Sequence, residues 1–470
     1  MEEIMMFIGR KEEILKLRNF LNGDGCKAAM LFGRRRVGKT ELIKQALQGQ
    51  NGTIIHCECK KVLPALNLRL LEKEIKSILN LPDYVRFNDF DDLFNSIFDA
   101  SKNRRIVFVL DEFSYLPLGG EDGVDASLAR IIDLRKQDEV NLKIIISGSY
   151  VDLMQKILEN SSPLHGHFDL VEEIREFDYY DAAKFFPNYS MEDRFIAYGV
   201  FGGLPYALSL VNPDLSIVDN IKEQFGVDTS AAIMLCQDTI SMESSKITSL
   251  NSLLTLIACG KRKYTDLIAV LGKDTRIEYA LDKGVKLHFL KKTVPINDEK
   301  NKKLTFYDFE DNLLRFYYRY VFSNAAARSA MGKNLLYKEI IQDDFEKNYL
   351  PSVFESVSRE FLIRKNKAGE INPPFFKIGT YSFNDSKAKK NMQFDVVTLD
   401  KKGYVSYECK YTKEQIGSSI LQEEKDQTKE SPLPFAGLGF ISRNGFSSSV
   451  KDKTERCYSL DDFYAPGLDV

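Results

Sequence analysis

The chain has 470 residues, 44% of them hydrophobic and 28% charged, with a net charge of −3 and seven cysteines. That length exceeds what one hydrophobic core usually supports, so two to four domains are expected, and the composition is that of a folded, soluble protein. The near-neutral balance excludes a chain-wide basic coat for nucleic acid, and no run reaches the ~18 apolar residues that would cross a bilayer.

The opening, MEEIMMFIGRKEEI, lacks the basic start and apolar stretch of a signal peptide, and the cysteines form no repeating framework. A cytoplasmic, reducing setting with free thiols is therefore expected. Next, KAAMLF predicts a buried strand and TELIKQAL an amphipathic helix. Between them stand Gly33, Arg34, Arg35, Arg36, Val37, Gly38, Lys39 and Thr40, which fit G-x-x-x-x-G-K-[ST]. Glycines let such a loop turn tightly enough for successive N–H groups to face phosphate oxygens. Lys39 would reach the β- and γ-phosphates, the Thr40 hydroxyl would hold Mg²⁺, and the helix opening at Glu41 adds its positive end. The expected ligands are ATP and Mg²⁺.

Farther on, TIIHCECKK raises a metal reading for His56, Cys57 and Cys59, but no partner pair stands at ligand spacing elsewhere. A core strand with small buried thiols is the expectation there. In RRIVFVLDEFSYL, residues 106–110 form a continuous apolar run of the kind found inside parallel sheets. Asp111 would end that strand as a Mg²⁺ ligand, and Glu112 would polarise the attacking water. A third strand ends in Ser147-Gly148-Ser149, where a hydroxyl would sense the γ-phosphate or simply make a turn.

With these residues in hand the chain resembles the archaeal-type P-loop ATPases, relatives of the AAA+ and STAND classes, through FIGRKEEILKL, GRRRVGKT, VLDEFSYL, ISGSY and FGGLPYAL. The resemblance implies that the Phe7–Arg10 segment, with Gly9 and Arg10, lies beside the nucleotide base. It also implies that Gly202, Gly203 and Pro205 belong to a helical lid over the site. After Gly166 the family usually has arginine, and this chain has His167. A mostly uncharged imidazole stabilises transition-state charge less well, so slow hydrolysis is expected if that position is a finger.

Beyond the lid, the stretch from Ser245 to Phe309 has the cadence of a winged helix, three short helices and a wing. Lys261, Arg262, Lys263, Lys291, Lys292, Lys300, Lys302 and Lys303 give it a basic side. They would contact DNA phosphates, or be solvated on a module that serves as a rigid hinge. Seven aromatic residues from Tyr307 to Phe322 follow, read as packing, with base stacking as the lesser alternative.

The segment that follows resembles the C-terminal domain of many archaeal-type ATPases, distantly similar to PD-(D/E)XK nucleases. That likeness implies a helix glutamate, a strand aspartate and Glu-x-Lys on the next strand, with the carboxylates holding Mg²⁺. NYLPSVFESVSREFLI is an amphipathic helix bearing Glu355 and Glu360, and QFDVVTLDKKGYVSYECKYT reads as a hairpin turning at residues 401–403. Asp395 lies on its first strand. Glu408 and Lys410 share one face of the second. Glu355, Asp395 and Glu408 are the candidate metal ligands, with Lys410 steadying charge. Glu-x-Lys occurs four times in the chain, so order and placement carry the reading, not the triplet.

The expected architecture is thus α/β. A P-loop core with a parallel sheet (1–185) would be followed by a helical lid (186–240), a winged helix (241–325) and a restriction-endonuclease-like domain (340–470). Two functions follow: an ATP switch driving a nuclease-like domain on DNA, or a signalling ATPase whose C-terminal domain only binds DNA or protein. No membrane partner is expected, and oligomerisation is left open.

Overall fold

The structure, a computed structural model, describes residues 7–119, 123–134, 140–243, 247–272, 275–298, 305–385, 390–452, 454 and 456–470. It divides into two compact units, one ending at Glu176 and one beginning at Phe177. Lys300, Lys302 and Lys303 lie outside the described residues. Among the described residues no helix is long and apolar enough to cross a membrane.

The first unit holds strands β1 (Lys27–Phe32), β2 (Thr53–Glu58), β3 (Ile106–Asp111), β4 (Leu142–Gly148) and β5 (Leu170–Glu173), all parallel in the order β2-β3-β4-β1-β5. Helices between consecutive strands, such as Lys39–Leu47 and Phe90–Ser101, supply the crossovers that parallel pairing requires. Every residue of β3 and β4 is buried, which explains their unbroken apolar runs. Phe32 pairs with Gly148 and Leu110 with Ile146. The register therefore delivers Gly33, Asp111 and Ser147 to one edge of the sheet.

In the second unit, helices Ile247–Ala258, Tyr264–Leu271 and Thr275–Lys286 precede an antiparallel pair, β6 (Leu290–Thr293) with β7 (Phe306–Phe309). Its main sheet runs β12-β11-β10-β9-β8, with β8 Phe375–Asp385, β9 Lys390–Asp400, β10 Gly403–Lys410, β11 Phe435–Ser442 and β12 Cys457–Ser459. Pairing is antiparallel from β8 to β10 and parallel from β10 to β12. Helix Leu350–Lys367 packs against β8, β9 and β10.

One expectation is corrected in part here. Arg262 and Lys291 are half-buried and donate to Ser352 and Ser356 of helix Leu350–Lys367, each at 3.1 Å, so they are not simply solvated. Lys261, Lys263 and Lys292 remain exposed. The tail supplies β11 and β12 and so completes the sheet and the core. Phe463 is fully buried and stacks on Phe354 and Phe361 with centroids 5.5 and 4.5 Å away. Helix Ser418–Glu430 is mostly exposed and buries Leu421 and Glu424. In the aromatic segment, Phe316, Tyr317, Tyr318 and Tyr320 are buried, and Phe316 meets Tyr320, Phe345 and Tyr349 at ring distances of 4.9 to 5.9 Å. Packing accounts for them.

Candidate functional site

In the first unit the chain leaves β1 at Gly33, where a Cβ would lie 2.2 Å from the Ile174 carbonyl oxygen, so no side chain fits. Gly38, at φ 95°, starts helix Lys39–Leu47 from the left-handed region that glycine tolerates. Lys39 is only 5% exposed, and its ammonium donates to the carbonyls of Gly33 (2.9 Å) and Arg34 (3.1 Å) and to the Ser149 hydroxyl (3.0 Å). Ser149 in turn donates to Glu112 Oε1, while its N–H reaches Glu112 Oε2 at 3.3 Å. Glu112 itself sits at φ 55°, a conformation uncommon outside glycine. One hydroxyl at the tip of β4 therefore touches both the loop lysine and the candidate catalytic glutamate.

Beside it, the Thr40 hydroxyl donates to Asp111 Oδ2 at 2.5 Å and Ser147 donates to Oδ1. Burial alone would raise the Asp111 carboxyl, but hydrogen bonds from His56, Ser147 and Thr40 hold it far below the usual carboxylate range. Thr40 and Asp111 present oxygen donors to one point, a set that suits Mg²⁺. His56 is placed by this contact, its Nε2 3.8 Å from Asp111 Oδ2, while Cys57 and Cys59 are buried in the core. Burial pushes the Cys59 thiol up to about 12.

Arg10 is buried and donates to the carbonyls of Val37 (3.0 Å) and Arg175 (2.5 Å), which ties Gly9-Arg10 to the middle of the loop. The loop arginines now have neighbours. Arg34 pairs with Glu176, and Arg35 donates to the Tyr115 hydroxyl while lying 5.6 Å from the centre of the Tyr150 ring. Arg36 is exposed, at φ 64°. Glu41 is an exposed partner of Lys44. His167 lies 3.3 Å from Asp133. A cavity of about 830 Å³ in this unit, bordered by Leu118, Arg130, Lys156 and Ser162, includes none of the loop residues.

In the second unit, Pro205 opens the short helix Pro205–Leu208, and Gly203 accepts the Phe177 N–H at 2.9 Å. Its other candidate residues meet at a cavity of about 720 Å³. Glu355, Asp395, Glu408 and Lys410 all line it. Glu360, the alternative to Glu355, does not: the Tyr198 hydroxyl and the Tyr179 N–H hold its carboxylate at 3.0 to 3.3 Å. Lys410 is engaged with Glu408, and Asp395 accepts the Cys409 N–H at 3.1 Å. Burial, with Glu408 and Glu355 nearby, pushes Asp395 up to about 8. These oxygens are of the right kind for Mg²⁺, but among the described residues no three of His, Cys, Asp and Glu are arranged to hold a metal ion. The expected ligand set of Glu355, Asp395 and Glu408 is brought to one cavity without being drawn into a coordination shell.

Two features escaped the sequence reading. Glu424 stands beside Glu408 and Lys410, and burial with the Glu408 carboxylate pushes it up to about 8. Glu192 accepts from Tyr411 (3.0 Å) and from Arg443 (2.5 Å), whose guanidinium lies 4.8 Å from the centre of the Tyr411 ring. Nothing in the residue pattern signals either, since both arise from helices that reach the sheet only in the fold.

Comparison with known proteins places the N-terminal part of the chain in an ATPase family. Residues 7–211 match the family described as "ATPase domain predominantly from Archaea". A stretch of 47 residues is 47% identical to an uncharacterised ATP-binding protein of Methanocaldococcus jannaschii, covering 10% of this chain and 80% of that protein. The chain belongs to the archaeal ATPase family. Residues 317–427 of this archaeal-type ATPase also match a family described as "Archaea bacterial proteins of unknown function". A second, uncharacterised M. jannaschii protein is 27% identical over 378 residues, 80% of this chain and 82% of its own. A solved Walker-type ATPase of Pyrococcus abyssi is 18% identical with a TM-score of 0.48, covering 67% of this chain and 96% of that one.

Proposed function

We propose that this P-loop NTPase is an ATP-hydrolysing switch and that its nuclease-like C-terminal domain acts on DNA by binding it. The observation that carries the first part is the meeting of Lys39 and Glu112 at Ser149, beside Thr40 and Asp111. Lys39 would exchange its loop carbonyls for the β- and γ-phosphate oxygens, and the amides of residues 33–40 would cradle the rest. Thr40 and Asp111 would hold Mg²⁺, which supplies neutralising charge for the phosphates. Glu112 would orient and polarise the attacking water, and Ser149 would report the γ-phosphate to Glu112 through the same hydroxyl.

For the C-terminal domain, pairing of Lys410 with Glu408 and the absence of a three-ligand metal arrangement among the described residues favour binding without cutting. A second reading, cleavage of phosphodiesters by Asp395, Glu408 and Lys410, is favoured by their convergence with Glu355 on one cavity. Plasmid incubated with Mg²⁺ and ATP separates the two. Intact plasmid that is retarded on a gel supports binding, nicking that disappears in Lys410→Ala supports cleavage, and neither retardation nor nicking rules out both.

A further inference from the structure

The cavity at Asp395 and Glu408 is built in two layers. Its charged part comes from Glu355, Asp395, Glu408 and Lys410, and its apolar part from Ile196, Val218, Phe345 and Leu350. Lys347 and Lys413, both exposed, also border it. At about 720 Å³ it falls in the range of small-ligand pockets and is far too small to admit a duplex. Glu192, held by Tyr411 and Arg443, further ties helix Met191–Phe201 to this border. Glu424, which does not line the cavity, is 7% exposed and hydrogen-bonded to Glu408, so the acidic wall is backed by a further buried carboxyl.

Which chemistry suits a recess that is acidic, apolar-walled and edged with lysines? Carboxylate oxygens accept from exocyclic amino groups, as acidic side chains do from the cytosine amine. Apolar and aromatic walls cover the faces of a planar base, and lysines at the border meet the phosphates that follow it. In a duplex one amino hydrogen is engaged in pairing and the base is stacked, so only an unpaired base can enter a cavity of this size and present both.

We propose that this cavity receives one unpaired nucleobase carrying an exocyclic amino group, with cytosine as the type case, from a DNA strand. The inference rests on the reading that the C-terminal domain binds DNA. The test uses the full chain, saturating ADP with Mg²⁺ to fill the P-loop, and fluorescence anisotropy with internally labelled 12-mers.

Oligo-dC is expected to bind at least tenfold more tightly than a duplex of dC with dG and at least fivefold more tightly than oligo-dT, which lacks the amine. Free deoxycytidine monophosphate should displace oligo-dC if one isolated nucleotide suffices, and displacement only by an oligonucleotide would place the recognised unit within a strand. Ile196→Trp, which fills the cavity without removing a charge, should erase the preference for dC, as should Glu408→Gln. Thermal melting confirms that each variant is folded. Equal affinity for dC, dT and duplex overturns the inference while leaving DNA binding intact. Affinity unchanged in both folded variants also overturns it. Absence of binding to every DNA overturns the underlying reading as well.

Discussion

At Ser149 a single hydroxyl serves two groups of opposite charge, and this sets what substitutions around it should do. Glu112→Gln keeps the side-chain shape but removes the base, so ATP turnover should fall at least about 100-fold while ATP affinity stays within about threefold, as steady-state rates and calorimetry would show. Ser149→Ala should lower turnover about tenfold with a smaller change in binding, because Lys39 keeps its loop phosphate contacts. Arg10 acts differently. Its loss would leave the Val37 and Arg175 carbonyls without that donor, a cost of about 1–3 kcal/mol that urea denaturation would detect. The phosphate loop was legible in the sequence because glycine, lysine and threonine are each required at fixed spacing by backbone and charge. Ser149 was legible only as one of two options, since its partners come from other strands. Glu424 was not legible at all, because a glutamate in a charged helix looks solvated until the sheet behind it is known.

Elements rather than residues decide how the second unit holds together. Phe463 comes from the C-terminal tail and stacks on two rings of helix Leu350–Lys367. Phe463→Ala should cost about 3–5 kcal/mol, read as a lowered urea midpoint. The antiparallel pair β6–β7 is anchored by charge: Asp308 lies 3.2 Å from Arg315 and 3.5 Å from Arg262. Although burial opposes ionisation, the two guanidiniums and Lys291 hold Asp308 at about 2. An unfolded aspartate titrates near about 3.9, so this contribution is present above about pH 4 and is lost as pH falls toward 2. The gap in urea midpoint between native chain and Asp308→Asn should therefore be larger at pH 5 than at pH 3. Hairpin β9–β10 was readable because alternation fixes which side chains share a face. The parallel partner β11 was only half readable, since nothing local in FAGLGFISR says which strand it joins.

For the molecule as a whole, the phosphate loop belongs to one compact unit and the carboxylate cavity to the other. A switch requires that nucleotide state alter what the second unit does, which is a coupling free energy and can be measured as such. DNA affinity should differ at least threefold between ATP-bound and ADP-bound chain, and the difference should vanish in Lys39→Ala. Fold class and the order of elements were accessible from patterning, because buried parallel strands and crossover helices leave distinct periodicities. The division at residues 176–177 was not, because no glycine- or proline-rich linker marks it. The account as a whole stands on nucleotide capture by the glycine-bracketed loop. Calorimetric titration of native chain and Lys39→Ala with ATP and Mg²⁺ tests this most directly. The native chain should bind about one ATP per chain, with affinity at least tenfold weaker in the variant. Identical isotherms for the two proteins, or no heat from the native chain, would contradict it.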